Sequence, residues 1–376
     1  MSHTPTVSFY YLILAISIFG LLNGSALAFL LRLRRWYLFG AAGAVLAFGA
    51  EEIYSWYRLG YTEAGDFGTA LAYMSCGWIV ANALMLLPLL FCALGSFWRK
   101  SRRIFQLLGI LAALGAVSIG MYGISHGAAK EEIHTVDVYI EGLPPAFEGF
   151  RIAQISDTHI GPYYSVADLD SALEESAEEK ADFVALTGDL IDDNRFMGDV
   201  TRIFRARARE FPKGFAYIWG NHEYYHDRSE VREGLREAAI PILENTHMKI
   251  TRGGESLYIA GVDYPWNRDR AAEVRQMTGE ALLGIPDGAP VILLAHYPDF
   301  IGEGFARHIS FTMAGHTHGL QFGLFGRPLF SPFTYTRGMY SDGTDTGYVS
   351  RGDGGWFPFR FGCSREVPVF VLHGKR

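Results

Sequence analysis

The run Arg151-Ile-Ala-Gln-Ile-Ser-Asp-Thr-His-Ile-Gly161 decides the reading of this chain. Its apolar part, Ile152 to Ile155, predicts a buried strand, and its polar part ends in Gly161-Pro162. In extended backbone, residues i and i+2 point to the same side. Asp157 and His159 then aim a carboxylate oxygen and an imidazole nitrogen at one point. That point lies at the C-terminal end of a strand, where open α/β sheets place their sites. Taken alone, the pair fits a turn acid beside a surface histidine better than a metal site, so the rest of the chain has to supply further ligands.

Working outward, polar residues recur after each predicted strand. Gly188-Asp189 follows Phe183–Thr187, and Gly220-Asn221-His222-Glu223 follows Phe215–Trp219. His296 follows Val291–Ala295, and Gly315-His316-Thr317-His318-Gly319 follows Ile309–Ala314. His316 and His318 repeat the spacing of Asp157 and His159. Asp157, His159, Asp189, Asn221, His296, His316 and His318 make seven candidate ligands, enough for two metals sharing one carboxylate. Any one of these motifs is common as a plain turn; five of them, each directly after a strand, are hard to reach by chance. Nitrogen and oxygen donors without thiolate favour Mn, Fe or Zn over Ca. The three cysteines add no disulfide framework: Cys76 and Cys92 would stand ~24 Å apart on one helix.

Around these motifs, Ile133–Ile140 alternates as a strand, while Val166–Lys180, Asn194–Glu210 and Ser229–Ala239 read as helices, the first capped by Ser165. After residue 240 strands dominate: Leu257–Val262, Val291–Ala295, Ile309–Ala314 and Val367–Leu372. The pattern predicts a two-sheet α/β sandwich. Asp192 and Asp193 read as solvated turn acids in preference to partners that orient the ligands, and His226 and His247 as surface histidines. The aromatic run Trp356–Phe361 reads as core or as a segment touching acyl chains.

The first third differs. Residues 1–125 hold 8 Lys/Arg and 4 Asp/Glu, against 25 and 36 in the remainder, which also carries eleven of the twelve histidines. Four apolar stretches, about 7–31, 36–56, 68–98 and 104–125, read as bilayer spans, which take about 20 residues; the second has only fifteen before Glu51 and must extend into Ile53–Trp56 to cross. The third is expected to be tilted or broken near Pro88, and Glu51 and Glu52 read as a water-exposed helix end in preference to an interface or functional site. The domain division expected is a transmembrane region over 1–126 and a globular domain over 133–376, joined by a short polar connector. No basic run occurs in the globular part, which excludes a nucleic-acid face.

The series Asp157-x-His159, Gly188-Asp189, Gly220-Asn221-His222-Glu223, His296 and Gly315-His316-x-His318 resembles the calcineurin-like metallophosphoesterase superfamily, and within it a bacterial branch with N-terminal membrane segments. The resemblance covers roughly residues 134–373. It implies an α/β fold with a four-layer α/β/β/α sandwich and a dinuclear metal centre. Asp157, His159 and His318 would hold one ion, Asn221, His296 and His316 the other, with Asp189 bridging and His222 as general acid. One departure is Leu320, where this branch commonly has a second glycine before Gln321; the change falls on the pocket wall. The expected activity is hydrolysis of a phosphodiester or pyrophosphate by a hydroxide bridging two divalent ions. A phospholipid or lipid-linked sugar nucleotide is among the substrate classes, since the active site would lie near a bilayer. The alternative is a non-catalytic membrane receptor or scaffold, disfavoured by the complete ligand set. A transporter is disfavoured by the few polar residues in the apolar stretches.

Orientation follows from the loops. Arg32, Arg34 and Arg35 lie between the first two stretches, and Arg99, Lys100, Arg102 and Arg103 between the last two. Basic short loops stay in the cytoplasm. The expectation is a multi-pass protein of the bacterial plasma membrane with an extracytoplasmic catalytic domain.

Overall fold

The computed structural model describes residues 7–127, 131–324 and 326–375. Half of the predicted connector, residues 128–130, lies outside the described residues. The chain divides into two compact units. The first is Met1–Ala129 with Phe357–Phe361; the second is Lys130–Trp356 with Gly362–Arg376.

The first unit is helical: α1 (Val7–Leu30), α2 (Trp36–Gly60), α3 (Gly65–Gly95) and α4 (Arg102–Tyr122). Of these, Gly65–Gly95 and the stretch Arg102–His126 are long and apolar enough, by length and composition, to cross a membrane. Small residues let α1 and α2 approach closely. A Cβ on Gly43 would run into the Gly20 carbonyl, and one on Gly20 into the Gly43 carbonyl. In α4, a Cβ on Gly120 would run into the Gly77 carbonyl, while Gly115 faces open space. Pro88 lies inside α3, which runs through it unbroken. The helix is not broken there, although a proline within a helix removes one backbone donor and crowds the preceding turn. Glu51 is also not at a helix end. α2 continues to Gly60, and Glu51 is buried at 2% exposure while Glu52 faces outward. Successive helical residues are turned by about 100°, so adjacent acids face different surroundings. Asn23 and Asn82 meet in the same interior, Nδ2 to Oδ1 at 2.7 Å. The aromatic run joins this unit. The Phe357 ring packs on Tyr54 (5.5 Å between centroids) and Phe361 on Tyr122 (5.9 Å).

The second unit contains thirteen strands among the described residues. They are β1 (Glu131–Ile140), β2 (Arg151–Ile155), β3 (Phe183–Leu186), β4 (Phe215–Tyr217), β5 (Thr246–Arg252), β6 (Glu255–Gly261), β7 (Val291–Leu294), β8 (Phe311–Ala314), β9 (Gly323–Leu324), β10 (Arg327–Pro328), β11 (Gly338–Asp342), β12 (Asp345–Val349) and β13 (Arg365–Gly374). Helices α5 (Val166–Glu178), α6 (Met197–Arg207), α7 (Arg228–Glu237), α8 (Arg270–Leu282) and α9 (Phe300–Ala306) connect them. One sheet has the order β1-β13-β2-β3-β4 and the other β11-β12-β8-β7-β6-β5; β9 and β10 form a small hairpin. β2, β3 and β4 are parallel, as are β6, β7, β8 and β12.

Alternation along the strands sorts the apolar residues into separate cores. Ile152, Phe183, Ala185 and Phe370 of the first sheet meet Ile259, Ile292, Leu294 and Phe311 of the second. The other face of the first sheet, with Ile155, Val184 and Leu186, packs on Leu169, Leu173, Val200 and Phe204 of α5 and α6. Leu293 and Ala260 pack on Val274 and Ala281 of α8 and on Phe300. Buried Gln154 ties the sheets together, its Nε2 donating to Ala314 O at 3.0 Å and to Thr187 Oγ1 at 2.9 Å. The expected α5 cap is present: Ser165 accepts from the Asp168 N–H, and Asp168 accepts from the Ser165 N–H. The helix expected from Asn194 is shorter: Asp193 caps a 3-10 turn over Asn194–Phe196 before α6 begins. Strands β5, β11 and β12 and helices α8 and α9 carried no clear period in the sequence.

Candidate metal centre

Each candidate ligand stands on a loop that leaves the C-terminal end of a parallel strand. The loops after β2 and β3 run side by side: Asp157 N–H donates to Gly188 O and His159 N–H to Asp189 O, both at 3.0 Å. The extended backbone assumed from the sequence is not what aligns Asp157 and His159. Their φ values are +55° and +50°. Asp189 (+53°), His316 (+72°) and His318 (+49°) share the left-handed region. This region costs an L-residue roughly 1–2 kcal/mol, and such outliers persist only where the surroundings over-determine them, commonly at functional sites. Leu320 is left-handed too, at φ +61°, where a glycine would sit without strain.

The side chains converge. Ligand atoms of Asp157, His159 and His318 lie within 4.8 Å of one another, as do those of Asp189, His296 and His316, and those of His159, Asp189 and His222. Asp189 is the hinge of the arrangement. Its Oδ1 accepts the His222 backbone N–H at 2.8 Å. Its Oδ2 lies 3.2 Å from His296 Nε2 and 3.5 Å from His159 Nε2. Asp157 is held by the His316 N–H (2.9 Å to Oδ1) and Ser156 Oγ (2.5 Å to Oδ2). His296 donates through Nδ1–H to Thr187 O at 2.8 Å, which leaves Nε2 facing inward. The inward nitrogens crowd together: His159 Nε2 and His318 Nε2 are 3.1 Å apart, His316 Nδ1 and His296 Nε2 3.3 Å.

Donor chemistry fits divalent cations. The Asn221 Oδ1 atom is buried with no hydrogen-bond partner, and a buried orphan carbonyl is costly unless something coordinates it. Around it stand fully buried carboxylates whose charge has to be met. Burial opposes ionisation of Asp189, but His296 and His222 outweigh it and hold its carboxyl well below the usual range. Burial works against protonation of His296 too, yet Asp189 lifts it to about 10. Burial and the neighbouring His296 together press His316 down to about 3, leaving a neutral imidazole. A cluster of carboxylates, neutral imidazole and amide oxygen suits borderline divalent ions.

Two acids take parts that the sequence reading did not favour or did not assign. Asp192 was expected at the solvent. It is buried, and its Oδ1 lies 3.0 Å from His159 Nδ1 and 2.8 Å from His222 Nδ1. One carboxylate oxygen thus sets the ring orientation of both histidines. Desolvation opposes the charged form of His222, but Asp189 and Asp192 hold its pKa up at about 9. Glu223 is fully buried and accepts three backbone N–H groups, from Gly220, Asp189 and Leu190 at 2.9, 3.2 and 2.6 Å. A third element is the loop Ser350–Gly354: Asp353 N–H donates to Ser156 O at 2.9 Å and Gly354 N–H to Asp157 O at 3.1 Å. Its only signal was the glycine-rich run after β12. Asp193 does behave as a turn acid, pairing with Arg195. His226 is exposed. His247 is partly buried, with Nδ1 2.9 Å from Ala281 O.

Fold and site together define a class of mixed α/β proteins that gather carboxylate, amide and imidazole donors for divalent metals on the loops following their strands. The calcineurin-like phosphoesterase family model matches residues 150–320. An uncharacterized metallophosphoesterase of Bacillus subtilis is 29% identical over 296 residues, covering 73% of this chain and 98% of that protein. One from Helicobacter pylori is 30% identical over 287 residues, covering 74% and 73%. A bovine protein described as a transmembrane protein with metallophosphoesterase domain is 27% identical over 350 residues, covering 86% and 75%. The chain belongs to the calcineurin-like metallophosphoesterase superfamily.

Proposed function

We propose that this protein is a membrane-anchored, metal-dependent phosphoesterase that hydrolyses a phosphodiester or pyrophosphate bond. The observation that carries the reading is the convergence of three ligand clusters that share Asp189 and His159. In this reading Asp157, His159 and His318 hold one divalent ion, Asn221, His296 and His316 a second, and Asp189 both; Mn, Fe and Zn suit the donors. The ions, when bound, supply Lewis acidity toward the phosphoryl group and toward water. His222 serves as general acid. Its Nδ1 is tethered to Asp192, its side chain is 17% exposed, and Nε2 makes no hydrogen bond among the described residues, so that nitrogen is the one able to give a proton to the leaving oxygen. The three separate cores support a four-layer α/β/β/α sandwich for the second unit.

The test is hydrolysis of aryl phosphodiesters by the full chain loaded with Mn, Fe or Zn. His222→Ala should slow hydrolysis by roughly 10²–10⁴-fold for poor leaving groups and far less for 4-nitrophenolate, which needs no proton. Equal slowing on good and poor leaving groups would remove the general-acid role. The substrate classes proposed are phospholipids and lipid-linked sugar nucleotides, because the catalytic unit is tethered to apolar helices.

Membrane anchoring draws on those helices and on relatives described as transmembrane proteins. Helix α2 exposes Leu38, Phe39, Val45, Leu46 and Phe48, and α4 exposes Ile104, Leu107 and Leu111. Apolar surface on that scale calls for lipid. We read all four helices as spans of a bacterial plasma membrane, with both basic loops inside and the catalytic unit outside. A periplasm-active reporter fused after Arg376 should give signal and a cytoplasm-active one should not; the reverse pattern would overturn the orientation and admit cytosolic substrates.

A further inference from the structure

We propose that Arg270 is a specificity-determining residue that holds a second phosphoryl group of the substrate, next to the one taken by the metal centre. The inference rests on the phosphoesterase reading above and adds the substrate class to it: a pyrophosphate ester in preference to a simple diester.

Beside the centre, His316 is walled by aromatic rings: Tyr297 at 5.1 Å, Tyr264 at 5.6 Å and Phe333 at 5.7 Å between centroids. Arg270 lies over the same Tyr297 ring, its guanidinium carbon 4.4 Å from the centroid. Its Nη1 donates to Tyr297 Oη at 2.6 Å. The guanidinium and the candidate ligand His316 therefore share Tyr297 as a neighbour, and Arg270 is braced there by stacking and one hydrogen bond.

What it lacks is a counter-charge. Among the described residues no carboxylate oxygen comes within 4.0 Å of it, and its Nε is buried with no hydrogen-bond partner. Asp299 feels its charge, yet burial dominates there and pushes the Asp299 carboxyl up. Nor does local structure call for a cation here. Arg270 is the first residue of α8, directly after the N-cap Asp269. The amino end of a helix carries partial positive charge and disfavours a cation. A half-buried arginine that no acid neutralises, at an unfavourable helix end and beside a phosphoryl site, suits an anion brought by the substrate. Guanidinium is the side chain best matched to phosphate oxygens, which it takes in bidentate fashion. A diester has only one anionic phosphoryl group and leaves Arg270 unmatched; a pyrophosphate diester has two, side by side.

Two substrates separate the cases: bis(4-nitrophenyl) phosphate, and an alkyl 4-nitrophenyl pyrophosphate. With the full chain loaded with Mn, Arg270→Gln should lower the ratio of kcat/KM for the pyrophosphate over the diester at least about tenfold, chiefly through KM. Arg270→Lys should recover part of that ratio. Tyr297→Phe, which keeps the ring and drops the hydrogen bond, should fall between. In a parallel titration calorimetry experiment, methylenediphosphonate should bind R270Q at least about tenfold more weakly than the parent, with a smaller change for methylphosphonate. Equal losses for one and two phosphoryl groups would leave Arg270 a structural cation on Tyr297 and overturn the proposal. Failure of the parent protein to hydrolyse either ester would count against the phosphoesterase reading, while the diphosphonate titration would still decide the role of Arg270.

Discussion

Asp189→Asn is expected to lower phosphoesterase activity about a thousand-fold and to strip at least one metal equivalent from the purified protein, measured by elemental analysis. The magnitude follows from removing one partner of a buried charge cluster, which costs about 4 kcal/mol, or three powers of ten in rate. Asparagine is isosteric and retains the acceptor that holds the His222 N–H, a 2.8 Å bond in the parent. The local backbone should therefore survive, and the loss should be one of charge. Asp189 Oδ2 faces His296 Nε2 and His159 Nε2 at 3.2 and 3.5 Å, so its charge serves both clusters at once. Losing it weakens both positions, whereas Asp157→Asn should weaken only one. Two tightly bound ions in Asp189→Asn would contradict the bridging role.

Glu223→Ala should act on the fold beneath the site. The carboxylate is fully buried and accepts three N–H groups from two adjacent loops. Burial, with Asp189 nearby, pushes its pKa up, a cost the fold accepts to hold both loops. Truncation leaves three buried donors without acceptors, each worth about 1–3 kcal/mol. Total destabilisation of about 4 kcal/mol would lower Tm by roughly 8–16 °C. Glycines at the same junction prevent relaxation: a Cβ on Gly188 would come within 2.6 Å of Gly220 N. Thermal unfolding of the full chain in detergent decides the matter, with Glu223→Gln as comparator, since it retains one carbonyl acceptor and should lose less. A drop in Tm below about 2 °C for the alanine variant would mean that Glu223 does not brace the loops.

Both variants bear on a general point about which residues were legible. Residues that leave a strand and carry ligand chemistry could be picked out one motif at a time, because a strand ends where its apolar run ends and the next polar residues must lie on a loop. Residues acting across loops could not. Asp192 and Asp193 are adjacent and chemically identical. One is buried between two histidines and the other caps a turn at the surface. Nothing local distinguishes them; the path of the loop after β3 does. Arg270 is likewise unremarkable in sequence, and its meaning comes from Tyr297, twenty-seven positions later.

The sequence by itself determined the family, the mixed α/β character of the second unit, and six candidate ligands, Asp157, His159, Asp189, His296, His316 and His318, that cluster in the structure. These follow from residue type and from periods that a short window contains. The tertiary structure alone decided how the ligands are aimed, through left-handed backbone at five of them instead of the pleat of a strand. It also decided the burial of Glu51, the joining of Phe357–Phe361 to the helical unit, and which acid orients which histidine. The physical reason is the range of the interactions. Apolar periodicity and turn chemistry act between near neighbours, whereas burial, charge balance and ring orientation are set by residues distant in the chain and close in space.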